Sequence, residues 1–406
     1  MSGIGDTVNS LRTRIAVFGR RNAGKSSLVN ALANQNVAIV SDVPGTTTDP
    51  VSKTMEILPL GPCLVTDTAG LDDIGELGEK RVRKSLGVLE TADIAVLAVP
   101  CGEDMPGEAQ RVSGFCRERG VPLLVVRTKR DLAPETKVAE GEIAVSAKTG
   151  DGVDELRGRL AATVPQEAPR PLVSDLVAKG DIVLCVCPID AAAPRGRLIL
   201  PQQQVIRELL ECGAAALVCQ PEEIRSTVAK AGKGNVRFAI TDSQAFAAVD
   251  EALDKDIPLT SFSILFARQK GDLETLAAGA AALKTLSDGD RVLVAEGCTH
   301  RRQCGDIGTV KIPALVRKFT GVNPVFEFSS GGDFPIGEEG KPLPKLVIHC
   351  GGCMLTRRAV LSRIERCRNA GVPVVNYGVA IALMNGIVAD PATCMVARKG
   401  AANEGV

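Results

Sequence analysis

The chain has 406 residues with 48 basic and 48 acidic side chains, so it is formally neutral and long enough for two or three domains. Neutrality disfavours a general nucleic-acid binder, and thirteen cysteines are too few over this length for a disulfide scaffold. Residues 1–14 lack the apolar stretch of a signal peptide and no run of about 18 apolar residues occurs. We therefore expect a cytoplasmic protein with reduced thiols and no membrane partner.

The first block, residues 1–168, alternates apolar runs with helical patterns, which predicts a mainly parallel sheet covered by helices. Strands are predicted at residues 15–18, 64–66, 94–99, 123–126 and 143–145. Helices are predicted at residues 25–33 and 153–163. Two prolines interrupt the pattern within residues 164–170, which indicates a linker at the end of this domain.

Between the first predicted strand and helix lies G-R-R-N-A-G-K-S, residues 19–26, which fits the phosphate-loop pattern G-x-x-x-x-G-K-[ST]. Its glycines let backbone N–H groups converge on phosphate oxygens, while the helix N-terminus and Lys25 supply positive charge. Ser26 is placed to hold Mg²⁺. The expected nucleotide contacts of this loop are Gly19, Asn22, Ala23, Gly24, Lys25, Ser26 and Ser27.

Two further motifs fit contacts with the metal ion and the γ-phosphate. D-T-A-G, residues 67–70, follows a predicted strand, so Asp67 is expected to reach Mg²⁺ through water and the Gly70 N–H to sense the γ-phosphate. P-G-T-T-T-D, residues 44–49, resembles a switch I loop, in which Thr47 is the expected Mg²⁺ contact.

T-K-R-D at residues 128–131 and S-A-K at residues 146–148 complete a series that resembles the guanine-specificity motifs of translation-factor-type GTPases. The resemblance implies that GTP or GDP binds with Asp131 on the N1 and N2 edge of guanine, Lys129 over the base and an N–H near Ala147 at O6. The expected contacts here are Thr128, Lys129, Asp131, Ser146, Ala147 and Lys148.

Two residues depart from that pattern. Thr128 stands where Asn is usual, so we expect a weaker contact bracing the phosphate loop, and Leu71 stands where many GTPases have a water-orienting Gln. An aliphatic side chain cannot orient water, so intrinsic hydrolysis is expected to be slow. Asn22 resembles the loop Asn of tRNA-modification GTPases of the TrmE type, which helps to hold a K⁺ ion; a surface Asn without an ion is the alternative.

The second block, residues 169–268, is predicted to be another α/β unit, without a phosphate loop. Its strands are predicted at residues 182–187, 215–219, 236–240 and 261–267. Its helices are predicted at residues 202–212, 222–231 and 243–253.

The third block, residues 269–406, contains both histidines of the chain, each beside cysteines. They lie in C-T-H, residues 298–300, and in H-C-G-G-C, residues 349–353. The predicted elements are a helix at 272–286, a strand at 291–295, a long irregular stretch, a strand at 346–348, a helix at 354–369, a strand at 372–376 and a last helix.

Cys298 and Cys350 each lie just past a predicted strand, and parallel strands bring their ends to one edge of a sheet. Together with Cys353 they form a plausible metal site. Gly351 and Gly352 let backbone N–H groups approach the sulfurs, and the expected helix start after Cys353 would lower the thiolate pKa. His300 and His349 are expected to ligate the metal or to act beside it.

The other cysteines carry weaker signals. Cys304 lies in a polar loop and is a doubtful fourth thiol. The remaining nine are better explained as small buried apolar residues: Cys63, Cys101, Cys116, Cys185, Cys187, Cys212, Cys219, Cys367 and Cys394. The residues alone leave two metal sites open, a zinc site with Cys₃His or Cys₂His₂ ligands and an iron–sulfur cluster with three Cys and an exchangeable fourth ligand.

A GTPase domain followed by C-x-H, 48 residues and H-C-x-x-C is similar to the HydF family, the maturation GTPases of iron-iron hydrogenases, over all three blocks. The segment A-P-R-G-R-L-I-L-P-Q, residues 193–202, also matches that family. The resemblance implies a [4Fe-4S] cluster on Cys298, Cys350 and Cys353 with a labile fourth position. It further implies a homodimer formed by the middle domain.

The implied role is that of a scaffold or carrier. It would receive a di-iron subcluster precursor from radical-SAM maturases and deliver it to apo-[FeFe]-hydrogenase, with GTP gating these partner interactions. Two rivals remain: a K⁺-stimulated GTPase acting on tRNA or ribosomes with a structural zinc site, and a metal-dependent enzyme with a regulatory GTPase domain. Zero net charge and 3% aromatic residues speak against the first, and no acid–base pair beside the cysteines supports the second.

Overall fold

The computed structural model describes residues 12–33, 51–68, 85, 87–105, 107–164, 170–189, 198–297, 306–331, 334–337 and 340–397. The chain divides into two compact units, Met1–Ala168 and Pro169–Val406. Within the described residues, no helix has both the length and the apolar character needed to cross a membrane.

The first unit is a six-stranded sheet with helices on both faces. Its strands are β1 Thr13–Phe18, β2 Val51–Ile57, β3 Gly61–Asp67, β4 Ile94–Pro100, β5 Leu123–Thr128 and β6 Ile143–Ala144. Its described helices are α1 Lys25–Ala33, α2 Gly107–Glu118 and α3 Val153–Thr163. The order is β2-β3-β1-β4-β5-β6, and every neighbouring pair is parallel except β2 with β3.

The five strands predicted for this unit and its two predicted helices are confirmed. Strand β2 was not predicted, because Lys53 and Glu56 interrupt its apolar residues at the edge of the sheet. In the central strands, successive side chains point to opposite faces: Ile15 packs in the core under α1, whereas Ala16 packs in the core on the α2 face. Burial on both faces explains why β1 and β4 are continuous apolar runs.

Arg157 of α3 braces the end of the phosphate-loop helix α1. It is only 9% exposed, and its guanidinium donates to the carbonyls of Ala31 at 3.1 Å and Leu32 at 3.2 Å. These are carbonyls of the last turn of α1, which have no partner within their own helix. A cationic donor there also opposes the negative end of the helix dipole.

The second unit contains two four-stranded parallel sheets. The first has strands β7 Ile182–Val186, β8 Ala215–Cys219, β9 Val236–Thr241 and β10 Leu259–Ser261, in the order β10-β9-β7-β8. The second has strands β11 Arg291–Glu296, β12 Val325–Ser330, β13 Leu346–His349 and β14 Val374–Asn376, in the order β12-β11-β13-β14. The α/β class with mainly parallel sheets, expected throughout the chain, is therefore confirmed.

The helices of this unit complete its layers. They are α4 Leu200–Glu211, α5 Ile224–Ala231, α6 Phe246–Ala252, α7 Phe262–Lys270, α8 Leu273–Gly279, α9 Ile312–Thr320, α10 Arg357–Asn369 and α11 Tyr377–Met384. A short antiparallel hairpin of β15 Val388–Ala389 and β16 Val396–Ala397, which was not predicted, follows α11.

The strand predicted at residues 261–267 is wrong, because most of this segment is helix α7. Ser261 ends β10 and caps the helix, since its hydroxyl accepts a hydrogen bond from the Ile264 N–H at 3.2 Å. Most side chains of α7 are buried, including Phe262, Leu265 and Phe266. A helix buried on most sides leaves a short apolar run that periodicity cannot distinguish from a buried strand.

The long irregular stretch expected after residue 295 is also partly wrong. It includes a π-helical turn, Ile307–Lys311, that leads into α9, and then the edge strand β12. Two helices predicted for the third block have different limits. The helix predicted at 272–286 is α8 followed by a 3₁₀ segment, Ala280–Thr285, and the helix predicted at 354–369 begins only at Arg357, after the cap Thr356.

One apolar core runs through both sheets of the second unit, from Leu172 to Val396. Helix α7 connects the two sheets: it follows β10 of the first and packs against α10 and α11, which flank the second. Residues 268 and 269, where the sequence places the border between the second and third domains, both lie in α7.

We expect Arg157→Ala to lower the free energy of unfolding of the first unit by about 1–3 kcal/mol, because the last turn of α1 loses a buried donor. Amide hydrogen exchange of β1 and β4 in the full chain measures this change. Arg159→Ala, on the exposed face of the same helix, is the control and should change it by less than about 0.5 kcal/mol. Equal protection in the two variants would contradict the role given to Arg157.

Candidate functional site

The phosphate loop follows β1 and precedes α1, as its motif requires. Gly19 has φ +154°, and a Cβ there would lie 2.5 Å from the Ala98 carbonyl oxygen, so no other residue fits. The Lys25 ammonium donates to the carbonyls of Gly19 at 3.1 Å and Arg20 at 2.8 Å. Lys25 is buried and therefore already points into the loop that would receive the phosphates.

Ser26 and Asp67 meet beside this loop. The Ser26 hydroxyl donates to Oδ2 of Asp67, while Oδ1 of Asp67 is buried and has no hydrogen-bond partner in the described part of the chain. Thr68 fixes the end of β3, because its N–H and hydroxyl both donate to the Val17 carbonyl, at 3.2 and 2.8 Å. A hydroxyl beside a carboxylate with an unsatisfied oxygen is a donor set that fits Mg²⁺.

The guanine-specificity motifs come together around a cavity of about 380 Å³. Asp131 is held by the Ser146 hydroxyl, which donates to its Oδ1 at 2.7 Å and accepts the Thr149 N–H at 3.2 Å. Lys129 adopts a left-handed conformation, with φ +57°. The residues lining the cavity are Gly24, Ser27, Leu28, Thr128, Lys129, Asp131, Leu132, Val145, Ala147 and Lys148.

Thr128, which stands where Asn is usual, contacts the phosphate loop in the structure. The buried Thr128 hydroxyl donates to the carbonyl of Ala23, in the phosphate loop, at 2.6 Å. Threonine therefore makes a short hydrogen bond to the phosphate loop from the first position of this motif. The residue type alone did not predict this hydrogen bond, because the shorter side chain of Thr still reaches the loop carbonyl.

Three of the predicted residues lie before β2 or after β3, outside the described part of the chain, whereas Asn22 is described. Thr47 and the rest of residues 44–49 lie outside the described residues, as do Gly70 and Leu71. Asn22 is described: it has φ +61° and its side chain is exposed on the phosphate loop. Its amide oxygen is a hard donor of the kind that binds alkali and alkaline-earth ions.

The cysteine motif lies at the carboxyl edge of the second sheet of the second unit. Strands β11 and β13 are parallel neighbours with Ala295 opposite His349, so their ends meet as expected. The Gly297 N–H donates to the Cys350 sulfur at 3.0 Å, and the Gly352 N–H approaches the same sulfur at 3.4 Å. Cys298, bonded to Gly297, lies outside the described residues, as do His300 and Cys304.

Two glycines are required by the close packing of this edge. A Cβ on Gly297 would lie 2.6 Å from Leu355 Cγ. Gly352 has φ +66°, and a Cβ there would lie 3.0 Å from Val360. The predicted approach of a loop N–H to sulfur is thus confirmed for Gly352, and backbone conformation and space together require glycine at this second position of Cys–Gly–Gly–Cys.

The expected effect of a helix N-terminus on Cys353 is wrong. Helix α10 begins at Arg357, so Cys353 lies in a turn before its cap and does not open the helix. Burial raises the pKa of the Cys353 thiol, and the nearby Lys270 ammonium only partly opposes this.

Both ring nitrogens of His349 already have hydrogen-bond partners, so neither is free to bind a metal ion. Its Nδ1 lies 2.7 Å from the Cys350 carbonyl, and Arg363 Nη1 lies 2.9 Å from its Nε2. Burial, and then the Arg363 charge, lower the pKa of His349 to about 4, so the ring is neutral at pH 7. A neutral ring that accepts from Arg363 at Nε2 donates from Nδ1 to Cys350. His349 therefore orients the backbone of Cys350.

Sequence reasoning missed a buried pair at the same edge. Glu296, the last residue of β11, is 5% exposed and accepts a hydrogen bond from the Tyr377 hydroxyl at 3.4 Å. Burial first, and then Cys350 and Glu296, raise the pKa of Tyr377. The available signal was a carboxylate at the end of a buried strand, two residues before Cys298.

The other cysteines behave largely as expected. Eight of the nine thiols assigned to packing are buried, and Cys212 is partly exposed. Burial raises the pKa of Cys63, Cys187 and Cys367 to about 12, so these thiols are neutral. Among the described residues, which exclude Cys298, no group of three or more His, Cys, Asp or Glu side chains is arranged to hold a metal ion.

Among curated proteins, GTPases are similar to this chain. A tRNA modification GTPase MnmE of Methylobacterium radiotolerans is 38% identical over 151 residues, 36% of this chain and 32% of that protein. GTPase Der of Kosmotoga olearia is 28% identical over 243 residues, 53% and 54% of the two chains. The chain spans about a third of the length of the tRNA modification GTPases that it matches.

A solved structure, the G domain of the FeoB iron transporter of T. maritima, aligns with 37% of this chain and 98% of its own. The sequence identity is 21% and the TM-score 0.30.

Three family models match successive parts of the chain. Residues 14–129 match a model described as 50S ribosome-binding GTPase. Residues 172–271 match the hydrogen maturase F dimerization domain, and residues 274–392 match the hydrogen maturase F tetramerization domain. Taken with the ordered nucleotide motifs, these matches show that the chain belongs to the HydF family of hydrogenase maturation GTPases.

Proposed function

We propose that this GTPase is a scaffold or carrier that holds a [4Fe-4S] cluster at the carboxyl edge of β11 and β13. It would carry the di-iron subcluster precursor and deliver it to apo-[FeFe]-hydrogenase. The observation that supports this most directly is the 3.0 Å hydrogen bond from the Gly297 N–H to the Cys350 sulfur. Gly297 directly precedes Cys298 in the chain. This hydrogen bond therefore places the backbone next to Cys298 beside the loop that carries Cys350 and Cys353.

The donor set supports a cluster. The proposed ligands are the soft thiolates of Cys298, Cys350 and Cys353, and backbone N–H groups on a ligand sulfur are typical of iron–sulfur sites. When bound, the cluster supplies one iron without a protein thiolate, an exchangeable position suited to transient cargo.

The hydrogen bonds of His349 count against the alternative of a zinc site. A Cys₂His₂ or Cys₃His site that used His349 would need one of its ring nitrogens. Nδ1 is engaged with the Cys350 carbonyl and Nε2 with Arg363, so ligation through Nε2 would leave a buried guanidinium N–H without its acceptor. His300 lies outside the described residues and stays a candidate ligand or neighbour.

The nucleotide site supports GTP binding and hydrolysis. Lys25 would exchange its loop carbonyls for phosphate oxygens, and Asp131, already oriented by Ser146, would accept the guanine N–H groups. Mg²⁺ held near Ser26, Asp67 and Thr47 would neutralise charge that develops on the phosphates. We propose that hydrolysis is slow, because Leu71 cannot orient water, and that the nucleotide state gates partner binding.

A second candidate is a K⁺-stimulated GTPase acting in tRNA modification or ribosome assembly with a structural zinc site. Its support is the similarity of part of the chain to tRNA modification GTPases. That similarity covers 36% of the chain, whereas residues 172–271 and 274–392 match hydrogen maturase models. We therefore rank it second.

The two maturase descriptions support oligomerisation. We propose three domains: a GTPase domain at 1–168, a dimerisation domain at 169–268 that forms a homodimer, and a cluster domain at 269–406. The proposed partners are radical-SAM maturases and apo-[FeFe]-hydrogenase, with neither nucleic acid nor membrane.

Thr128→Val is expected to weaken GDP binding roughly tenfold, or ~1.4 kcal/mol, because the Ala23 carbonyl loses its donor while the side-chain volume is kept. Titration of a fluorescent GDP analogue measures the affinity. Thr149→Val, at an exposed position of the same site, is the control and should bind within about twofold of the parent. Unchanged affinity in Thr128→Val would remove the bracing role of the hydroxyl.

Replacing Na⁺ by K⁺ at constant ionic strength should raise GTP turnover, because an ion beside Asn22 would supply the positive charge that an arginine finger supplies in other GTPases. Steady-state phosphate release is the measurement. Asn22→Ala should lose the K⁺ response, while Asn30→Ala, exposed on α1, should keep it. Equal turnover in Na⁺ and K⁺ would contradict the proposal that Asn22 helps to hold K⁺.

Anaerobic reconstitution with iron and sulfide should give broad visible absorption and, after reduction, an EPR signal. Cys350→Ser should abolish both, because one firm ligand is lost, whereas Cys219→Ser, 6% exposed in the first sheet of the second unit, should retain them. Tightly bound zinc with no uptake of iron would overturn the cluster assignment.

A further inference from the structure

Lys270 is a buried lysine whose ammonium group contacts the cysteine loop, residues 350–356, which carries Cys350 and Cys353. It is the last residue of α7 and only 6% exposed. It donates to the carbonyls of Gly352 at 3.2 Å, Cys353 at 2.9 Å and Leu355 at 2.9 Å. An ammonium has three N–H donors, so one lysine can serve all three carbonyls.

The carbonyls that Lys270 gathers belong to a loop without regular hydrogen bonding. Residues 350–356 connect the end of β13 to α10, and only one backbone bond within them is described, from the Leu355 N–H to the Gly352 carbonyl at 3.0 Å. Three carbonyls aimed at one cation fix the direction of successive peptide groups. This in turn fixes where the Cys350 and Cys353 side chains leave the backbone.

The first turn of α7 contacts the same loop and its neighbours. A Cβ on Gly351 would lie 3.6 Å from the Ser263 hydroxyl, and Asn376 Nδ2 donates to the Ser263 carbonyl at 3.0 Å. The nine residues of α7 span about 13 Å, so the helix touches the cysteine loop near both of its ends.

Burying a lysine is costly, and such residues are rarely found fully buried. Here the ammonium lies 5.2 Å from the centre of the Phe266 ring, an arrangement that partly compensates the lost hydration. The hydrogen bonds to the loop carbonyls add to this compensation. A neutral residue of similar length would fill the same space but could not hold three carbonyls.

We propose that Lys270 is a positioning residue for the metal site, which holds the Cys350–Cys353 loop in its ligating form and sets a positive charge beside the cluster. This inference rests on the proposed cluster function. Because α7 starts at the capped end of β10, Lys270 also ties the loop to the part of the chain that matches the dimerization model. Helix α7 is thus one route by which a shift of that sheet would reach the cysteines.

The first test uses the metal-free full chain, so it does not depend on the cluster. Lys270→Met should speed amide hydrogen exchange of residues 350–356 at least tenfold, with exchange in β7 and β9 unchanged. Lys270→Arg, which keeps charge and donors, should restore exchange to within about threefold of the parent. Lys255→Met is the matched control: Lys255 lies in the same unit, bonded to Asp250, and should leave the loop unaffected.

If Lys270→Met also exposes β7 and β9, the variant has lost its fold, and Lys270→Gln replaces it. Glutamine keeps two N–H donors without the charge, so it should speed loop exchange less than Met does. Loop exchange equal to that of the parent in a folded Lys270→Met or Lys270→Gln protein would overturn the proposal.

The second test uses the reconstituted protein and reads the reduction midpoint of the cluster by EPR. Removing a positive charge beside the cluster should move the midpoint of Lys270→Gln to more negative potential, and Lys270→Arg should return it. A midpoint identical in the parent and Lys270→Gln would refute the electrostatic part of the proposal. A parent chain that takes up no iron would refute the cluster function, while the exchange test would still decide whether Lys270 holds the loop.

Discussion

Both candidate sites depend on one constraint, the common direction of neighbouring parallel strands. In the first unit, β1, β3, β4 and β5 deliver the phosphate loop, Asp67 and Thr128 to one edge. In the second, β11 and β13 bring Gly297 and Cys350 to another. Segments that are 41 to 105 residues apart in the chain become hydrogen-bonded neighbours because parallel pairing places the ends of their strands side by side.

Hydrogen bonds to backbone carbonyls then convert this rough placement into defined geometry. Thr128 holds Ala23, His349 holds Cys350, and Lys270 holds Gly352, Cys353 and Leu355. In each case a buried side chain acts on the backbone that carries the chemistry. Such groups are costly to remove, since a buried carbonyl without its donor loses a partner that water cannot replace.

The sequence predicted the strands that end at the sites, because doubly covered strands are unbroken apolar runs, and it predicted which cysteines are core thiols. It failed where burial is equally complete but the backbone is helical: residues 261–267 look like a strand, and α7 was missed. Lys270, Glu296 and Arg363 were also missed. Their partners are backbone carbonyls, a histidine ring and a tyrosine hydroxyl distant in the chain, and no local pattern marks such contacts.

Helix α7 also bears on how the second unit is divided. The two sheets of this unit look like separable modules, because each has its own alternation of strands and helices. Two distinct family models also meet near residue 272. A gene fragment that began at residue 269 would still encode Lys270. It would lack the preceding turns and the Ser261 cap that aim the ammonium at its three carbonyls. The position of the cysteine loop therefore depends on residues that the dimerization model matches, so these two parts of the second unit are not structurally independent.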